Sequence, residues 1–206
     1  MGNLWVFGDS YSCPWIDVVA SGHKEYAKKH NPVHFTDILN SNLPIKDTIN
    51  KAVSGSCNYS ILQSICENIN KIKSTDTVII GWSEISRWRS LSYGPKWKVI
   101  GVNFNYKDSS TLKECVSRDS KLVVEELSSW IKLLSLILPA GTVHWTPFQS
   151  IAVKYAPLPV YSPPFKLKRI SEYTDIKDGH CTGEGHKDIG EWLVKTINSG
   201  SHKKII

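Results

Sequence analysis

Leu4-Trp5-Val6-Phe7-Gly8-Asp9-Ser10-Tyr11-Ser12 opens the chain with an apolar run that breaks into three turn-forming residues. The run reads as a first strand, and Gly-Asp-Ser as the turn that ends it and presents the Ser10 hydroxyl. Working outward, residues 48–53 and the β-branched stretch 77–81 read as the second and third strands. Residues 142–146, after Pro139-Ala140-Gly141, read as the fourth, and a fifth strand is expected without a segment of its own. Helical patterns fall between them at 14–20, 33–40, 59–72, 120–138 and 185–197, with Leu62, Ile65, Ile69 and Ile72 on one face of the third. Strands alternating with helices predict an α/β fold, a parallel sheet with helices on both faces.

Far downstream of Ser10 lies Asp178-Gly179-His180, just before the last helical pattern. A serine hydroxyl is a weak nucleophile until an imidazole accepts its proton, and a carboxylate must hold that imidazole in the right tautomer. Asp178 and His180 are two residues apart, so in an extended segment both side chains leave the same face. Asp175 and Asp9 are nearby alternatives to Asp178. Asp9 is read as structural, its side chain accepting backbone hydrogen bonds that shape the nucleophile turn. His186 is read as helix packing or surface.

Two further blocks occupy strand ends: Gly55 within Ala52-Val53-Ser54-Gly55-Ser56-Cys57-Asn58, and Gly81-Trp82-Ser83-Glu84. Together the four blocks resemble, in order and placement, those of the SGNH (GDSL-type) hydrolases, in which a GDS block, a glycine, a Gly-x-Asn-Asp block and an Asp-x-His block follow one another. The resemblance spans the chain and departs from the pattern at Ser83, where the family has asparagine. It implies a three-layer α/β/α sandwich with a flavodoxin-like, mostly parallel five-stranded sheet. Ser10, His180 and Asp178 would be the catalytic triad. The oxyanion hole would comprise the Ser10 and Gly55 N–H groups helped by Ser83 or Asn58, and no metal or cofactor would be needed. Losing one good oxyanion donor costs on the order of 3 kcal/mol of transition-state stabilisation, roughly a hundredfold in rate. Asn58 has a second reading, as the cap of the helix that begins near Tyr59. Trp82, Arg87 and Trp88 are candidate substrate contacts.

The 206 residues, 41% hydrophobic, suit one domain with a substantial core. No apolar stretch approaches the ~20 residues that cross a bilayer, and the N-terminus has no basic-then-apolar leader. The expectation is therefore a soluble chain, cytoplasmic as synthesised, without a membrane partner. Five cysteines with no C-x-x-C pair fit free thiols in a reducing compartment. Cys13, Cys57 and Cys181 fall close to the proposed site residues, where small buried cysteines are commoner than a Cys/His zinc site. A net charge of +6 is scattered and accompanied by no reader motif, so no specific nucleic-acid partner is expected.

Residues 87–118 interrupt the strand-helix alternation and mix Trp88, Tyr93, Trp97, Phe104 and Tyr106 with Arg and Lys. They read either as an insertion over the cleft that binds an anionic polymer, or as a solvated loop with some core aromatics. Residues 156–168 carry Pro157, Pro159, Pro163 and Pro164 and read as a stiff second lid. The resulting expectation is a serine esterase acting on carboxylic, especially acetyl, esters, with O-acetylated carbohydrate favoured over lipid. Its rivals are a glycan-binding module on the same fold and an acyltransferase. A likeness of the Gly81 block to SGNH-like proteins of tailed bacteriophages extends the expectation to virion association and deacylation of host polysaccharide. The oligomeric state is left open.

Overall fold

A computed structural model describes residues 1–18, 21–84, 88–90, 98–100, 120–148, 160–176 and 178–200. Five strands form one all-parallel sheet: β1 (Gly2–Phe7), β2 (Ile45–Asn50), β3 (Thr77–Gly81), β6 (Val143–Trp145) and β7 (Val160–Tyr161), in the order β2-β1-β3-β6-β7. This is the doubly wound, flavodoxin-like order, in which the chain reverses direction across the sheet between β1 and β3. A separate antiparallel pair, β4 (Trp88–Ser90) and β5 (Lys98–Ile100), stands apart from it.

The side chains of β1 explain the three layers. Trp5 and Phe7 pack on one side with Ile61 and Ile65 of α3 (Asn58–Asn68) and Leu127, Ile131 and Leu134 of α4 (Ser120–Ile137). Leu4 and Val6 pack on the other with Phe35 and Leu39 of α2 (Phe35–Asn42) and Ile189 and Leu193 of α6 (Gly183–Ser199). A strand apolar on both faces is stable only when both are covered, which is why the run lacks the polar alternation of a half-exposed strand. Asp76 secures the start of this strand. Its carboxylate accepts hydrogen bonds from the Asn3 N–H (2.8 Å), the Trp5 indole (2.9 Å) and the Lys73 N–H (2.9 Å).

Several boundaries differ from those expected. The second strand runs three residues earlier, at Ile45–Asn50, and the chain then follows β1 through Lys51 N–H to Val6 O and Val53 N–H to Gly8 O. Of the helix expected at 14–20, the described residues 14–18 form only a short 3₁₀ turn at Trp15–Asp17, since Pro14 starts the turn but Val18 returns to extended backbone. The helix of this region is α1 (Ser21–His30), whose Lys- and His-rich sequence carries only a weak apolar stripe. The expected fifth strand lies in the proline-rich stretch, as the two-residue edge strand β7. Prolines lack the N–H that a central strand must donate, so a short edge is where such a segment can pair. A four-residue helix, α5 (Ile170–Tyr173), follows. No described helix is long and apolar enough to cross a membrane.

Burial alone would raise the Asp76 carboxyl pKa, but the two backbone donors and the indole hold it below the ordinary carboxylate range. Asp76→Ala leaves those donors unpaired at a buried position, and each such loss costs roughly 1–3 kcal/mol. We expect urea denaturation at neutral pH to show a loss of about 3 kcal/mol; a loss below about 1 kcal/mol would contradict this anchoring role.

Candidate active site

Ser10 lies in the turn after β1, on the carboxyl side of the sheet where β1 and β3 part. Asp9 shapes that turn as expected: its carbonyl accepts from the N–H groups of Ser12 and Cys13 (3.0 Å each) and its Oδ1 from Tyr11 N–H (3.0 Å). Asn50 at the end of β2 reaches over to donate to Ser12 O (2.8 Å). The serine is therefore held by hydrogen bonds to its neighbours on both sides.

Asp178 and His180 arrive on a loop pinned from the opposite side. Ile170 N–H donates to His180 O, Ser171 N–H to Asp178 O, and Thr182 N–H to Lys168 O, so residues 168–171 run alongside 178–182 as a strap. Thr182 then caps α6 by accepting from Gly185 N–H (3.1 Å). Tyr11 joins the two halves through its hydroxyl, which donates to Gly179 O (3.2 Å).

The convergence places His180 Nε2 2.7 Å from Ser10 Oγ and His180 Nδ1 2.5 Å from Asp178 Oδ1. Asp178 Oδ1 also accepts the His180 backbone N–H (2.8 Å), which orients the carboxylate toward its own imidazole. Burial would raise the Asp178 pKa, but the ring and backbone hydrogen bonds from His180 outweigh it and hold the carboxyl below its ordinary value. Ser10 is 4% exposed, whereas the His180 side chain keeps 18%, so solvent reaches the imidazole. The arrangement suits proton transfer from a serine hydroxyl to a tautomer-locked imidazole.

The remaining expected residues divide. Gly55 sits in the turn after β2 with φ +80°, a conformation that favours glycine, and lines a cavity of about 360 Å³ with Gly8. Ser83 is buried and its hydroxyl donates to Asp9 Oδ2 (2.8 Å), so its one proton supports the nucleophile turn and is not offered as an oxyanion donor. Asn58 is turned to Ser83 as well, accepting Ser83 N–H (2.7 Å) and donating to Ser83 O (3.1 Å). It is the first residue of α3, behind an N-cap at Cys57, so the capping reading is replaced too. Trp82 is a core residue, fully buried, with its indole donating to His144 Nδ1 (3.2 Å); it is not a substrate contact. Trp88 begins β4, and Arg87 lies outside the described residues, as does most of 87–118. Cys13, Cys57 and Cys181 are buried free thiols, and burial pushes Cys13 up to about 11 and Cys181 to about 12.

One residue had no signal in the sequence. His23 of α1 brings its ring within 4.9 Å of that of His180, at 83°. Burial, reinforced by the neighbouring His180, lowers its pKa to about 4, so it stands beside the triad uncharged at neutral pH. Gly22 permits this approach, because a Cβ there would meet Ile176 Cγ2 at 2.9 Å and Asp178 Cβ at 3.2 Å. Only the packing of α1 against the Asp178 loop makes His23 a neighbour. His186, from α6, is equally buried in the same aromatic group, against Trp15 and His34, as helix packing.

Compared with known protein families and with curated proteins, the chain matches none.

A carboxylate whose pKa is depressed by folding contributes stability above its ordinary range, and this contribution is lost as the pH falls through the depressed value. The stability gap between wild type and Asp178→Asn, measured by urea denaturation, should therefore be largest near neutral pH and narrow in acid. A gap that does not change with pH would contradict the Asp178–His180 pairing.

Proposed function

We propose that the chain is a serine esterase of the SGNH (GDSL) type, acting on carboxylic esters of small acyl groups. The observation that carries this reading is the Ser10–His180–Asp178 relay, assembled from opposite ends of the chain at the switch point of the sheet. Order of the motifs, fold and relay support it together, since a doubly wound sheet binds ligands beyond its strand ends.

The steps follow from the geometry. As Ser10 Oγ attacks the ester carbonyl, its proton passes to His180 Nε2, while Asp178 holds Nδ1–H and stabilises the imidazolium. The negative charge on the former carbonyl oxygen would be met by the backbone N–H groups of Ser10 and Gly55. With the Ser83 hydroxyl engaged by Asp9 and the Asn58 amide by Ser83, neither candidate replaces the family's asparagine among the described residues, and a slower acylation, by roughly a hundredfold for one donor, is the consequence. Collapse of the tetrahedral intermediate breaks the C–O bond to the alcohol, which takes the proton from His180. Water then attacks the acyl-Ser10, giving its proton to His180, and the second collapse returns that proton to Ser10 and releases the acid.

The cavity beside Gly55 favours a hydroxyl-rich substrate. Its walls carry Lys51, Ser54, Ser56, Ser60, Gln63 and Glu67 beside the apolar Val53 and Ile61, a mixture of hydrogen-bonding groups and apolar surface that suits the two faces of a sugar ring. O-acetylated carbohydrate is accordingly the substrate class we favour. The weakened oxyanion hole also favours a second reading, a glycan-binding module with little turnover.

Purified protein should release p-nitrophenol from its acetate ester, Ser10→Ala should fall to the spontaneous rate, and Asp178→Asn should lose about 10⁴ in kcat. Equal rates for wild type and Ser10→Ala would sink the esterase reading and leave the binding module.

A further inference from the structure

We propose that His23, Asp178 and His180 together form a Zn²⁺ site whose occupancy switches the triad off. The binding stands on geometry alone; its effect on catalysis rests on the esterase reading above. One donor atom from each of the three residues can be chosen so that all lie within 4.8 Å of one another. In a tetrahedral zinc site with bonds of ~2.1 Å, donors stand roughly 3.4 Å apart, so closing the set needs movements on the order of an ångström. Two imidazoles and a carboxylate are a donor set that zinc takes readily, leaving a fourth position for water.

His23 supplies the second, independent observation. It is 1% exposed, and among the described residues neither ring nitrogen has a hydrogen-bond partner. Buried imidazoles ordinarily pair at least one nitrogen, since an unmade hydrogen bond costs stability. Its ring is wedged between Trp15 (4.3 Å between centroids) and His180, and Gly22 brings α1 against the Asp178 carboxylate. An otherwise unexplained donor is thus held against the acid-base pair.

Either mode of ligation by His180 disables it as a base. At Nε2 the ion occupies the lone pair that must accept the Ser10 proton. At Nδ1 it leaves the one ring proton on Nε2, which then donates to Ser10 Oγ and cannot accept from it.

The test is calorimetric titration of ZnCl₂ into the untagged, chelator-treated full chain at neutral pH, for wild type, His23→Phe and Ser10→Ala. His23→Phe keeps an aromatic ring against Trp15 and removes both nitrogens; circular dichroism checks its fold. We expect one ion per wild-type chain, unchanged binding in Ser10→Ala, and at least a hundredfold weaker binding in His23→Phe. Zn²⁺ should abolish p-nitrophenyl acetate hydrolysis by wild type reversibly on adding EDTA. The half-inhibiting concentration should rise at least tenfold in His23→Phe, relative to that variant's own metal-free rate. Absence of stoichiometric binding to wild type, or equal binding by a folded His23→Phe, overturns the proposal. Should His23→Phe not fold, Asp178→Asn takes its place, with the same hundredfold loss expected and equal binding overturning the site. Binding as expected in a protein without metal-free esterase activity would keep the site and overturn the esterase reading, while activity without binding does the reverse.

Discussion

Everything in this molecule depends on β1 being buried on both faces. Leu4 and Val6 need the α2 and α6 side and Trp5 and Phe7 need the α3 and α4 side, a demand best met where helices cover both faces of the sheet. The strand therefore sits inside the sheet, between β2 and β3, and its neighbours must be reached by crossovers on opposite faces. That reversal opens the crevice at the end of β1, and the turn that follows delivers Ser10 into it. Asp76 locks the other end of the strand through three hydrogen bonds, so the position of the serine is defined from both directions.

The acid-base loop has no comparable strand beneath it and is held by pairing instead. Hydrogen bonds from Ile170, Ser171 and Thr182 tie it to the chain before and after, and Tyr11 and Gly22 bring it against the nucleophile turn and α1. A one-residue loop between Asp178 and His180 lets one carboxylate oxygen accept from both the ring and the backbone of the same histidine. The depressed Asp178 pKa is the electrostatic counterpart of that geometry, and it keeps the carboxylate charged beside the imidazole.

Behind this loop lies a group of buried histidines with aromatic neighbours. His23, His34 and His186 are all driven toward the neutral form by burial, His34 to about 3. Neutral rings can pack against Trp15 and Phe35 without the cost of burying charge, so α1, α2 and α6 meet around them. Among these rings, His23 is the one beside His180 and Asp178, and its place in the packing layer is what the proposed zinc site rests on.

Local chemistry made much of this legible in the sequence. The apolar run before Gly-Asp-Ser, the β-branched 77–81 and the long amphipathic 120–138 carry their own strand and helix signals. Asp178 and His180 sit at a spacing that lets them pair without any other part of the chain, and Asp9 was identifiable as a turn-shaping residue because its partners are its immediate neighbours. What failed to show were relations between distant segments. The α1 helix has little apolar periodicity, and β7 hides among prolines because an edge strand needs few N–H donors. Ser83 and Asn58 are as suitable in composition for an oxyanion as for each other. Only the approach of α3 to the end of β3 turned them inward, just as only the packing of α1 brought His23 to His180. The sequence by itself determined which segments must be buried and which side chains carry a hydroxyl, an imidazole and a carboxylate able to pair. The tertiary structure decided which of those side chains face one another, because hydrogen-bond partners across a sheet are set by the distances between elements and not by spacing along the chain.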